Sequence, residues 1–73
     1  MLTDPMTDEA REAAIKFEGH LMTAAMLLAR EHGNEYFMYR GQADHHKNRM
    51  YALIRGRSAA QVAKLEEARG LAA

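Results

Sequence analysis

The chain lacks several residue types, and each absence narrows the class of protein that it can be. It has no cysteine, so neither a disulfide nor a thiolate-bound zinc ion can stabilise the fold of its 73 residues. No apolar run approaches the ~20 residues that cross a bilayer, and the acidic start, MLTDP, differs from the basic start of a secretory or mitochondrial leader. We expect a cytoplasmic protein that does not act at a membrane.

Strand-forming residues are also scarce, with one valine, two isoleucines and three threonines. Alanine, leucine, methionine, glutamate and arginine dominate, and all of them favour helices. The sequence therefore predicts an all-α fold in a single domain, 1–73, with helices over about 5–32, 35–54 and 58–69. We expect a small three-helix bundle, in which two long antiparallel helices are crossed by a short C-terminal helix.

The first predicted helix begins at one of two caps, Asp4 followed by Pro5, or Thr7. Its apolar residues recur in alternating steps of four and three, which is the spacing of a seam for helix packing. Further apolar residues at 22, 26 and 27 make the stripe broader than one partner helix requires, so a homodimer or a hydrophobic docking face is plausible. The predicted seam consists of Ala10, Ala14, Phe17, Leu21, Ala24 and Leu28.

Gly33 is the expected end of the first helix and Asn34 the expected cap of the second. The second seam keeps its phase through Gly41, which favours one continuous helix. A break at Gly41 is the alternative, because glycine costs a helix roughly 1 kcal/mol. The residues of this seam are Tyr36, Tyr39, Ala43, His46, Met50 and Leu53.

The third predicted helix has the clearest local signals. Ser58 is expected to cap it, with Gln61 three residues later completing a capping box. Gly70 is expected to end it, and Leu71 to fold back onto Leu65 as in a Schellman motif.

Charge is segregated along the chain although the formal net charge is zero. Residues 1–35 contain seven acidic and three basic residues, whereas residues 36–57 contain five basic residues and Asp44 alone. The basic segment can dock on an acidic surface, or it can pair internally with the acidic first helix. Arg55 and Arg57 flank Gly56 in a turn, which suits a phosphate or an acidic protein surface.

An aromatic cluster, Tyr36-Phe37-Met38-Tyr39, lies beside Arg40. Such a cluster can close the end of a core, anchor a protein partner, or stack on bases. The candidate partner-binding residues are Arg40, Arg49, Arg55, Arg57, Tyr36, Phe37 and Tyr39.

Metal and enzyme sites are not expected. The four histidines, His20, His32, His45 and His46, include no pair at the i, i+4 spacing of a zinc-binding helix. We interpret His46 as a partly buried seam residue with a hydrogen-bond partner and His45 as a surface residue. The sequence has no cysteine nucleophile, phosphate-binding glycine loop or paired carboxylates, so we predict no catalytic activity and no cofactor.

The C-terminal third of the chain, residues 50–71, resembles the tails of small proteins encoded by bacteriophages and prophages. The resemblance rests on the Gly-Arg-Ser turn, the capped short helix and the closing Arg-Gly-Leu. It implies a protein that binds a host machine, RNA polymerase being a frequent target, and it carries over no functional residue.

We therefore expect a non-enzymatic regulatory or adaptor protein in the host cytoplasm, acting on a protein partner by occlusion or bridging. Direct nucleic-acid binding through a helix-turn-helix is one alternative, although Glu66 and Glu67 in the third helix and the balanced charge disfavour it. A structural homodimer, with opposite charges paired between chains, is another.

Overall fold

The computed structural model describes residues 6–70, and these form three α-helices. They are α1 (Asp8–Glu31), α2 (Tyr36–Arg55) and α3 (Ala59–Ala68), and a short 3-10 turn, Gly33–Glu35, joins α1 to α2. No strand occurs in this part of the chain, which confirms the predicted all-α class. Within the same range, none of the helices has both the length and the apolar character that a membrane span requires.

The start of α1 and both ends of α3 follow their local sequence signals. The Thr7 hydroxyl accepts a hydrogen bond from the Ala10 backbone N–H at 3.0 Å, so the second of the two expected caps starts α1. The Ser58 hydroxyl accepts from the Gln61 backbone N–H at 3.0 Å, as expected for α3. Gly70 has φ +73°, the left-handed conformation that glycine favours after a helix. Asp4, Pro5 and Leu71 lie outside the described residues.

The connection between α1 and α2 follows the expectation only in part. α1 ends at Glu31, within one residue of the predicted end and before the Gly33 stop, but Asn34 lies inside the 3-10 turn instead of capping α2. α2 begins after Glu35, which makes no side-chain cap bond. α2 then runs through Gly41 to Arg55, which confirms a single continuous helix.

Helices α1 and α2 pack along each other as an antiparallel hairpin, whereas α3 packs extensively against neither. The radius of gyration is 15.6 Å, compared with about 11 Å for a compact domain of this length. The dimensions, 45 × 40 × 14 Å, are those of one flat layer of helices. The hairpin of the predicted bundle is therefore present, and α3 extends from its open end.

The hydrophobic core of the hairpin is built from small residues. Its buried apolar members are Ala25, Ala29 and Ala43, and no large side chain in the described range is fully buried. The α2 seam is as predicted from Tyr39 onwards, with Ala43 buried and Tyr39, His46 and Met50 partly buried around it. Tyr36, predicted as its first member, is instead exposed, because it is the first residue of α2, where the contact with α1 ends.

The packed face of α1 lies one position later than the predicted seam, which is a rotation of about 100° around the helix axis. Phe17, predicted to face inward, is 60 % exposed, and Ala10 and Ala24 are exposed as well. Two charged residues take inward positions in their place, Arg11 and Glu18, because both find hydrogen-bond partners on α2. The inner face of α1 consists of Arg11, Ile15, Glu18, Met22, Ala25 and Ala29.

Candidate interaction surfaces

A buried carboxylate joins the middle of α1 to α2. Glu18 is only 6 % exposed, and its Oε1 lies 2.7 Å from His46 Nδ1. Arg49 Nε donates to Glu18 Oε2 at 3.1 Å. The hydrogen bond with His46, followed by that with Arg49, lowers the pKa of the Glu18 carboxyl below its usual 4.5, although burial acts in the opposite direction. The expectation of a partly buried, hydrogen-bonded His46 is confirmed, and His45 is exposed.

A second ion pair connects the start of α1 to the turn before α3. Arg57 donates from Nε to Glu12 Oε2 at 2.7 Å and from Nη2 to Glu12 Oε1 at 2.8 Å. This two-pronged bond lowers the pKa of Glu12 and raises that of Arg57. The Ser58 hydroxyl also donates to the Asp8 carboxylate, whose two oxygens lie 3.1 and 3.2 Å away. The turn is thus held on the first turns of α1.

Arg11 completes the contacts at the open end of the hairpin. Its Nη1 donates to the Leu53 carbonyl at 3.2 Å, and its side chain lies against Gly56. A Cβ at position 56 would lie 2.9 Å from Arg11 Cζ and would overlap the guanidinium nitrogen. Gly56 therefore leaves the space through which the arginine reaches α2.

The basic residues predicted to bind a partner are mostly engaged within the chain. Arg57 and Arg49 pair with acids of α1, and Arg40 Nε lies 3.4 Å from Asp44 Oδ1 on the exposed side of α2. The pKa of Arg40 is raised by its hydrogen bond with Tyr36 and then by Asp44. Arg55 is exposed, and no ion pair within residues 6–70 holds it. Internal pairing, one of the two interpretations of the segregated charge, thus accounts for Arg49 and Arg57.

The aromatic cluster divides between the core and the surface. The Tyr39 ring is partly buried and lies 5.9 Å from the His32 ring, so it closes the end of the hairpin. Phe37 is 87 % exposed, and its ring meets the Tyr36 ring edge-on at 5.4 Å. Met38 is exposed beside them.

Apolar residues at the end of α1 continue this exposed surface. Met26 and Leu27 are exposed, and a cleft of about 330 Å³ lies beside them. Its walls are Thr23, Met26, Leu27, Ala29, Arg30 and Tyr36. We call the exposed apolar residues at the closed end of the hairpin the hairpin tip; they are Met26, Leu27, Tyr36, Phe37 and Met38.

The predicted partner-binding residues do not form one site. Tyr36, Phe37, Tyr39 and Arg40 lie in the first turns of α2, and Arg55 lies at its last residue. The eighteen positions from Phe37 to Arg55 span about 27 Å of helix. The structure therefore gathers the aromatic residues with Arg40 at one end and places Arg55 and Arg57 at the other, with Arg49 between them.

Sequence reasoning placed Met38 in the aromatic cluster but not among the candidate partner-binding residues, and it did not identify the buried charges Arg11 and Glu18 as important positions. A signal for the charges was present, because Arg11, Glu18 and Ala25 recur every seven residues, which keeps them on one side of a helix. Charged residues at such positions are normally assigned to the solvent side, and their partners lie far away in sequence.

Other chemistry is not built from the described side chains. Among residues 6–70, no three histidine, aspartate or glutamate side chains converge on a point where a metal ion would bind. Comparisons with protein-family models, with curated proteins and with solved structures find no match to this chain. The geometry of the surfaces is therefore the basis for a functional proposal.

Proposed function

We propose that the protein is a non-enzymatic regulator or adaptor that binds a protein partner through the hairpin tip. The observation that carries this proposal is the 87 % exposure of Phe37 at the end of a helix hairpin, contiguous with other exposed apolar side chains. Isolated exposed apolar residues are ordinary, but a contiguous patch of this kind marks interaction sites. Aromatic residues and methionines are enriched in such interfaces because they bury a large area and adapt their shape.

Protein binding is favoured over nucleic-acid binding by the state of the arginines. Phosphate binding requires cations that are available to neutralise the backbone. Arg49 and Arg57 already neutralise Glu18 and Glu12, and Arg40, the arginine nearest Phe37, pairs with Asp44. Direct nucleic-acid binding, the alternative, would have to compete with these ion pairs.

Bacterial RNA polymerase is the partner that we infer, on the resemblance of residues 50–71 to the tails of phage-encoded proteins. The protein would then act on a host machine by occlusion or bridging. A partner of this kind implies that the protein is located in the host cytoplasm. In this arrangement Phe37 inserts into the partner, and Arg55, at the opposite end of α2, orients the protein on an acidic surface.

The three-helix bundle expected from the sequence belongs to the bound form in this proposal. Val62 is exposed and Leu65 partly exposed on α3, so the apolar side of this helix is not covered by the hairpin. We infer that α3 closes on an apolar surface, supplied by the hairpin or by the partner, when the complex forms.

Binding of the full chain to purified bacterial RNA polymerase tests the proposal. Phe37→Ser is expected to weaken binding at least about 100-fold, because the lost anchor is a fully desolvated aromatic. Tyr51→Ser is the matched control, since Tyr51 is an exposed aromatic on the same helix but away from the tip. Far-UV circular dichroism confirms that both variants keep their helices.

Two results would contradict the proposal. One is equal binding of the wild type and Phe37→Ser. The other is no polymerase binding, together with binding to nucleic acid whose affinity falls steeply with salt. Nuclease treatment of both components removes any bridging by DNA or RNA.

A further inference from the structure

A second apolar face on α1 lies to one side of the contact with α2, and its residues are exposed or partly exposed. The rotation that brings Arg11 and Glu18 inward leaves the residues of the predicted seam one position away, about 100° around the helix. They keep the four–three spacing of a packing seam, and Phe17 among them is 60 % exposed. We call this set the outer stripe; it consists of Ala10, Ala14, Phe17, Leu21, Ala24 and Leu28.

The two broad faces of the flat hairpin differ in polarity along α1. The residues that immediately precede the inner-face residues in sequence form the apolar outer stripe on one broad face. The residues that immediately follow them form the opposite broad face, which is mainly polar and consists of Glu12, Lys16, Gly19, Thr23, Met26 and Arg30. Only one broad face of α1 is therefore suited to packing on a second layer.

The hairpin lacks the second layer that stable domains have. Domains are built from two packed layers around a core, whereas this chain is 14 Å thick and buries no large side chain fully in its described part. In a four-helix bundle each helix packs on two neighbours, on faces about 90° apart. The inner face and the outer stripe of α1 have this relation.

We propose that the outer stripe is the two-fold interface of a homodimer, in which α1 packs antiparallel on α1 of a second copy. The spacing of the stripe is symmetric about residue 19, as in any regular four–three seam, so the stripe can pair with its own copy. Its central side chains then match in size, large with large and small with small, which favours a second copy as the occupant. In an antiparallel pair centred there, Phe17 lies opposite Leu21 of the second copy and Ala14 opposite Ala24 of the second copy. Ala10 then lies opposite Leu28 of the second copy, so every layer joins apolar residues.

The distribution of charge on α1 also favours a second copy as the partner of the outer stripe. α1 is rich in acids, and two copies would repel each other if these acids met. Within residues 10–28 the acids are Glu12 and Glu18, and neither belongs to the outer stripe. Both are already paired inside the chain, with Arg57 and with His46 and Arg49. This dimer is apolar, and it therefore differs from the charge-paired homodimer considered from the sequence.

Sedimentation equilibrium of the full chain tests the dimer, and the proposed polymerase binding is independent of its outcome. A reversible dimer is expected, and Phe17→Ser should raise its dissociation constant at least about 100-fold, since two Phe17 rings leave each interface. Phe37→Ser is the control with an equally large exposed ring outside the stripe, and it should leave the constant unchanged. A monomer at all concentrations, or a dimer indifferent to Phe17→Ser, would overturn the inference.

Disulfide trapping tests the antiparallel register, because the natural chain has no cysteine to interfere. Ala14→Cys and Ala24→Cys chains, mixed and oxidised, should form a mixed disulfide dimer. Each variant alone should not, because its two cysteines would lie about 15 Å apart along the axis, beyond the ~7 Å that a disulfide bridges between Cα atoms.

Ala52→Cys, exposed on α2, reports random collision and should cross-link with neither variant. Cross-linking of Ala14→Cys with itself would indicate a parallel pair and overturn the register. Equal trapping of all combinations would indicate nonspecific association and overturn the dimer.

Discussion

Replacement of Ala43 by leucine tests the close approach of α1 and α2. Ala43 lies near the middle of α2 and is 2 % exposed, so its methyl group is enclosed by the hairpin. The bonds Arg11–Leu53 and Glu18–His46 set the antiparallel register and bring Ala43 level with Leu21. Ala43→Leu adds three carbon atoms at a point where the interface has no space for them.

Two effects of opposite sign compete in this variant. If the helices could separate without loss, burying a leucine side chain would stabilise the fold by about 1.5–3 kcal/mol. Overpacking of a well-packed site instead costs about 1–3 kcal/mol. We expect the cost to prevail, because the Glu18–His46 bond lies only three residues along α2 from Ala43 and is kept only if the helix spacing there is kept.

The expected loss is large on the scale of this protein. At about 0.05–0.15 kcal/mol per residue, a chain of this length has a free energy of unfolding of roughly 4–11 kcal/mol. A loss of about 2 kcal/mol lowers Tm by roughly 8–16 °C for a domain of this size. Thermal unfolding followed by far-UV circular dichroism, at one protein concentration for all variants, measures it.

Ala52→Leu is the matched control, because Ala52 is exposed on the same helix. Alanine and leucine have similar helix propensities, so this change should alter the stability by less than about 0.5 kcal/mol. A Tm of Ala43→Leu equal to or above that of the control would refute the close helix approach.

Three further predictions concern the ion pair and the glycines. The pKa of Glu18 is lowered from 4.5 chiefly by its hydrogen bond with His46. The ionised carboxylate therefore contributes its full stabilisation above pH 4.5, and this contribution is lost as the pH falls through the lowered pKa. Tm should therefore fall on acidification, and Glu18→Gln should show a shallower fall below pH 4.5; an identical acid limb would contradict the pairing. Gly41→Ala should raise the free energy of unfolding by about 0.5–1 kcal/mol, because alanine is favoured over glycine inside a helix and a Cβ at this position meets no atom within 4 Å. Unchanged urea unfolding would argue against a continuous helix. Gly56→Ala should instead lower the free energy of unfolding by about 1 kcal/mol in the same urea titration, because the new Cβ displaces Arg11 from the Leu53 carbonyl. A gain in stability like that of Gly41→Ala would show that this contact is dispensable.

The features that the sequence predicts well are those determined by near neighbours. The caps at Thr7 and Ser58 each bond a backbone N–H three residues away. The continuity of α2 through Gly41 follows from the unbroken phase of its seam. These features depend on residues that are near one another in sequence, so the order of residue types is enough to predict them.

The rotation of α1 could not be predicted in the same way. It depends on Arg11 and Glu18, whose partners lie 28 to 42 residues away along the chain. A hydrophobic pattern assigns a charged residue to solvent, because burial of an unpaired charge is costly. The assignment fails here because α2 supplies partners that only the folded hairpin brings within reach.

The candidate partner-binding residues lie on separate surfaces for a geometric reason. Arg40 and Arg55 belong to the same basic stretch of sequence, yet a straight helix separates them by about 22 Å. Proximity along a helix is proximity in space only within a turn or two. The aromatic end and the arginine turn are therefore separate surfaces, and any partner that contacts both must span the length of α2.

The buried charges also determine which face of α1 is left for association. If α1 packed on another helix through its inner face, Glu18 would be buried without His46 and Arg49, and an unpaired buried carboxylate is strongly destabilising. Helix α2 offers these partners at the right register. The outer stripe has no charged residue, so it does not need a particular charged partner. Because the inner face packs only where Glu18 finds its partners, Phe17 is left exposed in the folded chain. The polar contact inside the hairpin is thus the physical cause of the apolar surface outside it.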